Sequence, residues 1–324
     1  MIKFDIVSIG DITFDVFLKP VEAEVHCHLN RPLCELCFNY GDKIEVETID
    51  FEVGGNAANT AIGFSRLGLK TALSVCFGDD DNGKKAIAIV KKEGVDTGLS
   101  QRFPGFLTTY STIVNFQGER TILHHHPEIV HTLKPFPPTS FIYLADVGEN
   151  FENVFDKVTD FVKKNNVFLV FNPSKKHLRA GVEILRPTLN VCLCLILNLQ
   201  EARLLLNADP TIEIKILLKR LRALGPKIVV VTDGENGSFA ADEKSFYRLE
   251  TEKADPLEKT GAGDSYSAGF VAALFYKKSI PEAMRWGNLN SASVIGKIGA
   301  RKGLLSKLEM EEKINKSFLK PIDF

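Results

Sequence analysis

A chain of 324 residues that is 44% hydrophobic, with a mean hydropathy of zero, can bury a large core as one big domain or two ordinary ones. Its 40 basic and 41 acidic residues leave a net charge of −1 with no basic run or basic–aromatic interleaving, which argues against a nucleic-acid partner. The longest apolar run, residues 191–199, is broken by Asn198 and too short for a bilayer, and the start lacks a signal-peptide pattern, so a cytoplasmic protein without a membrane partner is expected.

Ile6-Val7-Ser8-Ile9-Gly10 reads as a buried first strand, and residues 71–75, 141–144, 167–171, 192–197 and 227–231 share its short, apolar, β-forming pattern. Between them lie helical patterns at 56–67, 82–93, 151–164, 212–224, 262–276 and 281–297. This alternation predicts an α/β protein with a mainly parallel sheet covered by helices on both faces. Two stretches break the rhythm, roughly 16–53 and 107–125, and the second carries a hairpin signal around Gln117-Gly118-Glu119. Both are expected to form a small β-rich lid, because strands without intervening helices must find a sheet of their own. Six unevenly spaced cysteines do not suggest a disulfide framework, and Cys76, Cys192 and Cys194 fall in strand-like segments as reduced core residues.

Asp11 and Asp15 stand just beyond the first strand, where open α/β sheets bind ligands. Each could accept from neighbouring hydroxyls of a polyol or simply cap a turn. Gly54 and Gly55 let backbone approach a ligand, and Asn59, one turn into the next helix, can both donate to and accept from hydroxyls. Asn198 and Glu201 follow an apolar strand; they can hold waters around a magnesium ion that bridges nucleotide phosphates, or form a helix capping box. In Lys259-Thr260-Gly261-Ala262-Gly263-Asp264 a polar loop turns into an apolar helix. Its glycines allow successive N–H groups to converge on an anion at the positive end of that helix. Asp264 would be repelled by such an anion, so a base that takes a proton from an attacking hydroxyl explains it better than a structural role; an ordinary capped glycine loop is the alternative.

Four segments, in order over essentially the full chain, resemble the ribokinase-like (PfkB) carbohydrate kinases. Val53-Gly54-Gly55-Asn56-Ala57-Ala58-Asn59-Thr60-Ala61, closed by Arg66-Leu67-Gly68, resembles the N-terminal signature, and Thr260 to Asp264 the C-terminal one. Asn198-Leu199-Gln200-Glu201 is similar to the family's Asn-x-x-Glu element, and Thr232-Asp233-Gly234-Glu235-Asn236-Gly237 to its nucleotide-side turn. The resemblance implies one ribokinase-like kinase domain over residues 1–324, a three-layer α/β/α fold with a small lid. It implies phosphoryl transfer from ATP, with Mg2+, to a hydroxymethyl group of a sugar in the manner of a ribokinase or fructokinase, or of a nucleoside. A catalytically inactive sugar- or nucleoside-binding protein is the non-enzymatic alternative.

By the same resemblance Asp264 is the general base, and the N–H groups of Gly261, Ala262 and Gly263 stabilise the transferring group. Asp15, Asp11, Gly54, Gly55 and Asn59 hold the acceptor, and Asn198, Glu201, Thr232, Gly234, Gly237, Thr260 and Asn288, with Ser293, serve the nucleotide, Glu201 reaching the metal indirectly. A lid that pairs with a second copy implies a homodimer. Thr13 stands where ribokinases often carry Asn, and Glu258 and Lys259 where the family has Asp and Thr. These departures leave a monovalent cation requirement open, and Lys259 adds a charge able to address phosphate. Phosphorylated sugars would need basic lid residues, for which Arg31 and Arg120 are the candidates.

His26-Cys27-His28 and Cys34-Glu35-Leu36-Cys37 lie within the lid. Cys27, His28, Cys34 and Cys37 could hold Zn2+, although free thiols or a redox-sensitive pair are favoured. Of His124, His125 and His126, alternating strand faces allow one or two to face the substrate. A nicotinamide dehydrogenase is disfavoured because Gly10 is followed by Asp11, Ile12 and Thr13 rather than by a glycine fingerprint.

Overall fold

The computed structural model describes residues 3–28, 34–252, 259–297 and 299–324. The chain begins with β1 (Phe4–Gly10), β2 (Thr13–Pro20), β3 (Glu24–Cys27), β4 (Cys34–Cys37), β5 (Val46–Gly54), α1 (Asn56–Arg66), β6 (Thr71–Gly78) and α2 (Asp81–Lys92). It continues through β7 (Gln101–Phe103), β8 (Tyr110–Phe116), β9 (Glu119–His125), β10 (Thr139–Leu144), α3 (Phe151–Asn165), β11 (Phe168–Phe171), α4 (Lys175–Arg179) and α5 (Val182–Leu189). Then come β12 (Cys192–Asn198), α6 (Leu199–Leu206), α7 (Ile214–Arg222), β13 (Ile228–Thr232), β14 (Ser238–Ala241) and β15 (Phe246–Leu249). The last elements are α8 (Ala262–Phe275), α9 (Ile280–Ile295), α10 (Lys307–Lys316) and β16 (Ile322–Asp323).

Among the described residues a ten-stranded sheet runs β16-β15-β14-β13-β12-β11-β10-β1-β6-β7. It is parallel from β7 to β13 and antiparallel from there to β16. Alternation along a strand divides its apolar side chains between two cores. Ile6 of β1 joins the core formed with α1, α8 and α9, whereas Val7 and Ile9 join the one formed with α3, α5 and α7. That is the expected three-layer α/β/α arrangement. The strands beyond 231 escaped the sequence reading because β14 is made of Ser, Phe and Ala, without a β-branched residue. Helices α4 to α6 span only five to eight residues each, too few for a periodic signal.

A second sheet, ordered β5-β2-β8-β9, forms the lid. Its strands overrun the breaks in rhythm: β2 begins at Thr13, which pairs with Gly54 at the end of β5. Strand β9 is the outer edge and is exposed along its whole length, while Phe14, Val16 and Phe17 of β2 are buried.

The separate hairpin β3–β4 corrects the zinc reading. Cys27 and Cys34 face each other across it and form a disulfide, so two of the four supposed ligands have no thiolate to offer. His28 lies 3.4 Å from Glu35, Cys37 stands opposite Glu24, and no metal-holding group of His, Cys, Asp or Glu occurs among the described residues. Cys192 and Cys194 are free and buried, as expected of core residues, whereas Cys76, expected with them, is free but only half-buried.

Candidate active site

Strand β1 occupies the point where the connections of the parallel sheet diverge. The chain leaving β1 reaches β6 on one side, and the chain leaving β10 reaches β11 on the other. Divergence of this kind opens a crevice beyond the carboxyl ends of the strands. Asp11 follows β1 on one lip and Asp146 follows β10 on the other. The lips are close, for the Ala145 N–H donates to the Ile9 carbonyl at 2.8 Å, and a Cβ on Gly10 would stand 2.7 Å from the Asp146 carbonyl oxygen.

The lid brings Asp15 to the same crevice. Thr13 Oγ1 donates to Asp15 Oδ1 at 2.7 Å, and a side chain at Gly54 would collide with both. Gly55, at φ 93°, lies against the Asp11 and Ile12 backbone, where a Cβ would meet the Asp11 carbonyl oxygen at 2.7 Å. The glycine pair therefore lets strand β5 close on the two acids. Burial raises Asp15 above its ordinary pKa, and hydrogen bonds from Thr13 and Ser111 oppose the rise. Ser111 is also 3.1 Å from Nδ1 of His124. The rings of His124, on β9, and His126, just past it, stack with centroids 6.0 Å apart.

Helices α1 and α8 supply the other wall. They cross where Gly63 meets Ala268, and a Cβ on Gly63 would lie 2.6 Å from that of Ala268. One turn earlier on each helix, Asn59 Nδ2 donates to Asp264 Oδ2 at 2.8 Å. Asn59 Oδ1 is buried with no hydrogen-bond partner among the described residues. Asp264 stands in the first turn of α8, whose N-cap Gly261 has φ 78° and packs against Ala300. Burial pushes the Asp264 carboxyl up to about 6, the charge of Glu201 adds to the rise, and the Asn59 bond opposes it. Asp11 is likewise raised by burial and by the charges of Asp146 and Asp264.

Beyond the α8 N-terminus lies a cavity of about 850 Å3. Thr232, Gly234, Gly237, Ala262, Gly263 and Asn288 line it, so the turn after β13 and the glycine loop converge on one cavity. Gly237 has φ 93° and abuts the Leu249 carbonyl, which no other residue would tolerate. Thr260 Oγ1 is buried at the base of the loop without a partner among the described residues. Lys259 also lines the cavity and lies 3.6 Å from Glu235. Glu258 and Arg31 lie outside the described residues.

The side chains expected on this side of the site take up the following positions. Asn288 lines the cavity as expected, and its amide also clamps the wall, accepting from Glu252 N and donating to the Glu250 carbonyl. Ser293 does not line the cavity; its carbonyl packs where Gly303 leaves room. Asn198 and Glu201 form the capping box at the start of α6, with N–H to oxygen distances of 2.9 and 2.8 Å. Burial raises Glu201, and the hydrogen bond from Asn198 N opposes that.

Sequence reasoning missed Asp146, although an acid directly past an apolar strand is the signal that marked Asp11. It also missed Arg301, which is buried with Glu52 of the lid in an ion pair and donates from Nε to the Val53 carbonyl at 2.9 Å.

The model of the family described as pfkB family carbohydrate kinase matches residues 4–307. The chain is 26% identical over 290 residues to the ribokinase of Haemophilus influenzae, covering 84% of this chain and 90% of that one. The structure resembles that of Arabidopsis thaliana ribokinase complexed with ribose and ATP, with a TM-score of 0.79 at 19% identity over 98% of this chain and 100% of that one. It also resembles a Methanocaldococcus jannaschii nucleoside kinase, with a TM-score of 0.77 at 21% identity over 98% and 99% of the two chains.

Proposed function

The chain belongs to the pfkB family of carbohydrate kinases and is an ATP-dependent sugar kinase, and we propose that it phosphorylates a hydroxymethyl group with Asp264 as general base. The observation that carries this reading is the Asn59–Asp264 hydrogen bond. It aims a carboxylate of raised pKa at the crevice and leaves the Asn59 carbonyl oxygen ready to accept from the acceptor's hydroxyl.

Phosphoryl transfer asks mainly for positioning and charge stabilisation. Asp11, Asp15 and Asp146 accept from the sugar hydroxyls, with Gly54 and Gly55 admitting the lid strand. Asp264 takes the proton of the attacking hydroxyl. The N–H groups of Gly261 and Gly263, at the positive end of α8, face the charge that develops on the transferring group, the Ala262 N–H joins them on giving up its 3.4 Å bond to the Lys259 carbonyl, and Thr260 Oγ1 donates to the same oxygens. Lys259 adds a positive charge at the mouth of the cavity. Closure of the lid excludes water.

The donor set fits Mg2+, since Glu201 commits one carboxylate oxygen to Asn198 N and keeps the other for metal-bound waters. When bound there the ion would neutralise phosphate charge. The proposal includes one kinase domain over residues 1–324, a cytoplasmic location and a homodimer paired through the lid. Ile122 and Leu123, exposed on edge strand β9, support the pairing. The sugar of a nucleoside is a second acceptor, supported by the likeness to the archaeal nucleoside kinase.

Release of ADP from ATP, followed across a panel of sugars and nucleosides, tests the reading. Acceptor-dependent release that collapses in Asp264→Asn supports it, and equal release with and without every acceptor contradicts it.

A further inference from the structure

Resting on the kinase reading above, we propose that the acceptor carries no acidic group: the crevice selects an uncharged or amine-bearing sugar and refuses aldonates and sugar phosphates. The first ground is hydrogen-bond chemistry. The groups gathered at the crevice are the carboxylates of Asp11, Asp15, Asp146 and Asp264 and the partnerless carbonyl oxygen of Asn59, a residue only 5% exposed. All of them accept. Hydroxyls and ammonium groups donate to such a lining, whereas a carboxylate or phosphate brings only further acceptors.

The second ground is charge. Among the described residues most cations near the crevice are already engaged, and the exception, Lys175, lies towards Glu201, whose pKa its charge lowers. Lys176 is paired with Glu149, and Arg301 with Glu52 and the Val53 carbonyl. Lys302 lies 3.1 Å from Asp50 and 3.4 Å from Glu52. His177, buried beneath Asp146, donates from Nε2 to the Val147 carbonyl at 2.7 Å and accepts at Nδ1 from Ser174 N at 3.2 Å, the pattern of a neutral ring. Burial lowers His126 as well. Arg120 sits four residues before His124 on β9, roughly 13 Å along the strand, exposed and opposite Asn115. An acidic substituent would therefore meet uncompensated carboxylates. One such charge about 5 Å away weakens binding on the order of a hundredfold in a partly buried site.

The test uses one sugar skeleton in three charge states. Acceptor-dependent ADP release would be measured for D-fructose, 1-amino-1-deoxy-D-fructose and D-fructose 1-phosphate, with D-ribose and D-gluconate as a second pair, on the native protein and on Asp146→Asn. The expected result is that neutral or aminated sugars exceed the acidic ones in kcat/KM by roughly a hundredfold or more, and that Asp146→Asn narrows this gap. An acidic sugar used within tenfold of the best neutral one would overturn the inference and leave the kinase reading standing. No turnover with any acceptor would sink the kinase reading first and the inference with it.

Discussion

Asn59 and Asp264 stand 205 positions apart in the chain and share a 2.8 Å hydrogen bond where α1 and α8 cross. The bond links the wall proposed to hold the acceptor to the end of α8 proposed to face phosphate, and it exists because Gly63 lets the helices approach. Most of the expected behaviour follows from that junction.

Activity will depend on the ionised form of Asp264. Burial places its pKa at about 6, so kcat/KM for the acceptor should rise with pH through an acid limb near 6 and then level off. A limb near 4, typical of an exposed carboxylate, would show that the base is elsewhere or is solvated.

Asn59→Ala removes a donor that favours the charged form of Asp264. Its acid limb should move to higher pH than in the native protein, and the acceptor KM should rise because the orphan carbonyl is lost with the amide. An unmoved limb would mean that the hydrogen bond has no effect on the base. The ATP KM is the internal control and should change little.

Gly63→Ala places a methyl group 2.6 Å from the Cβ of Ala268. Overpacking at such a crossing costs about 1–3 kcal/mol, which thermal unfolding will report, and turnover should fall as Asn59 is drawn from Asp264. Ala268→Gly in the same chain should restore much of both. Without that rescue the crossing is not what sets the junction.

Arg301 joins the loop that packs on Gly261 to lid strand β5. With Arg301 and Glu52 each 7% exposed, Arg301→Met leaves Glu52 with only Lys302, 3.4 Å away, as a counter-charge, and should lower stability by less than the roughly 3–5 kcal/mol of a buried charge left wholly unpaired. Adding Glu52→Gln should recover part of that stability. Because Nε also holds the Val53 carbonyl beside Gly54, the acceptor KM should remain raised in the double variant while the ATP KM returns towards native. Equal recovery of both would limit Arg301 to a structural role.

The parallel strands and the glycine loop were legible because each is a local pattern: short apolar runs, and residues whose spacing alone places them at a helix start. Asp264 and Asn59 could be named separately, but their contact could not, since it depends on the crossing of two helices. Asp146 gave the same local signal as Asp11 and became meaningful only once β10 was seen beside β1 at the divergence of the sheet. Asn288 shows the opposite limit. Its position beside the cavity was readable, whereas the backbone partners that occupy its amide come from residues 250 and 252 on a neighbouring segment. The Cys27–Cys34 bond escaped for a similar reason, because spacing permits several pairings and the strand register decides among them.

Asp264→Asn addresses the central claim most directly, and its stability helps to interpret its activity. A carboxyl raised from 3.8 to about 6 on folding contributes its full stability below 3.8 and loses it as pH rises through 6, so at neutral pH the buried charge costs about 3 kcal/mol that Asn would relieve. The variant should therefore melt no lower than the native protein, which separates loss of chemistry from loss of fold. Acceptor-dependent ADP release at saturating ATP is the decisive measurement: a fall of about 10²–10⁴-fold with ATP binding intact is the predicted result, and turnover within tenfold of native would contradict the account.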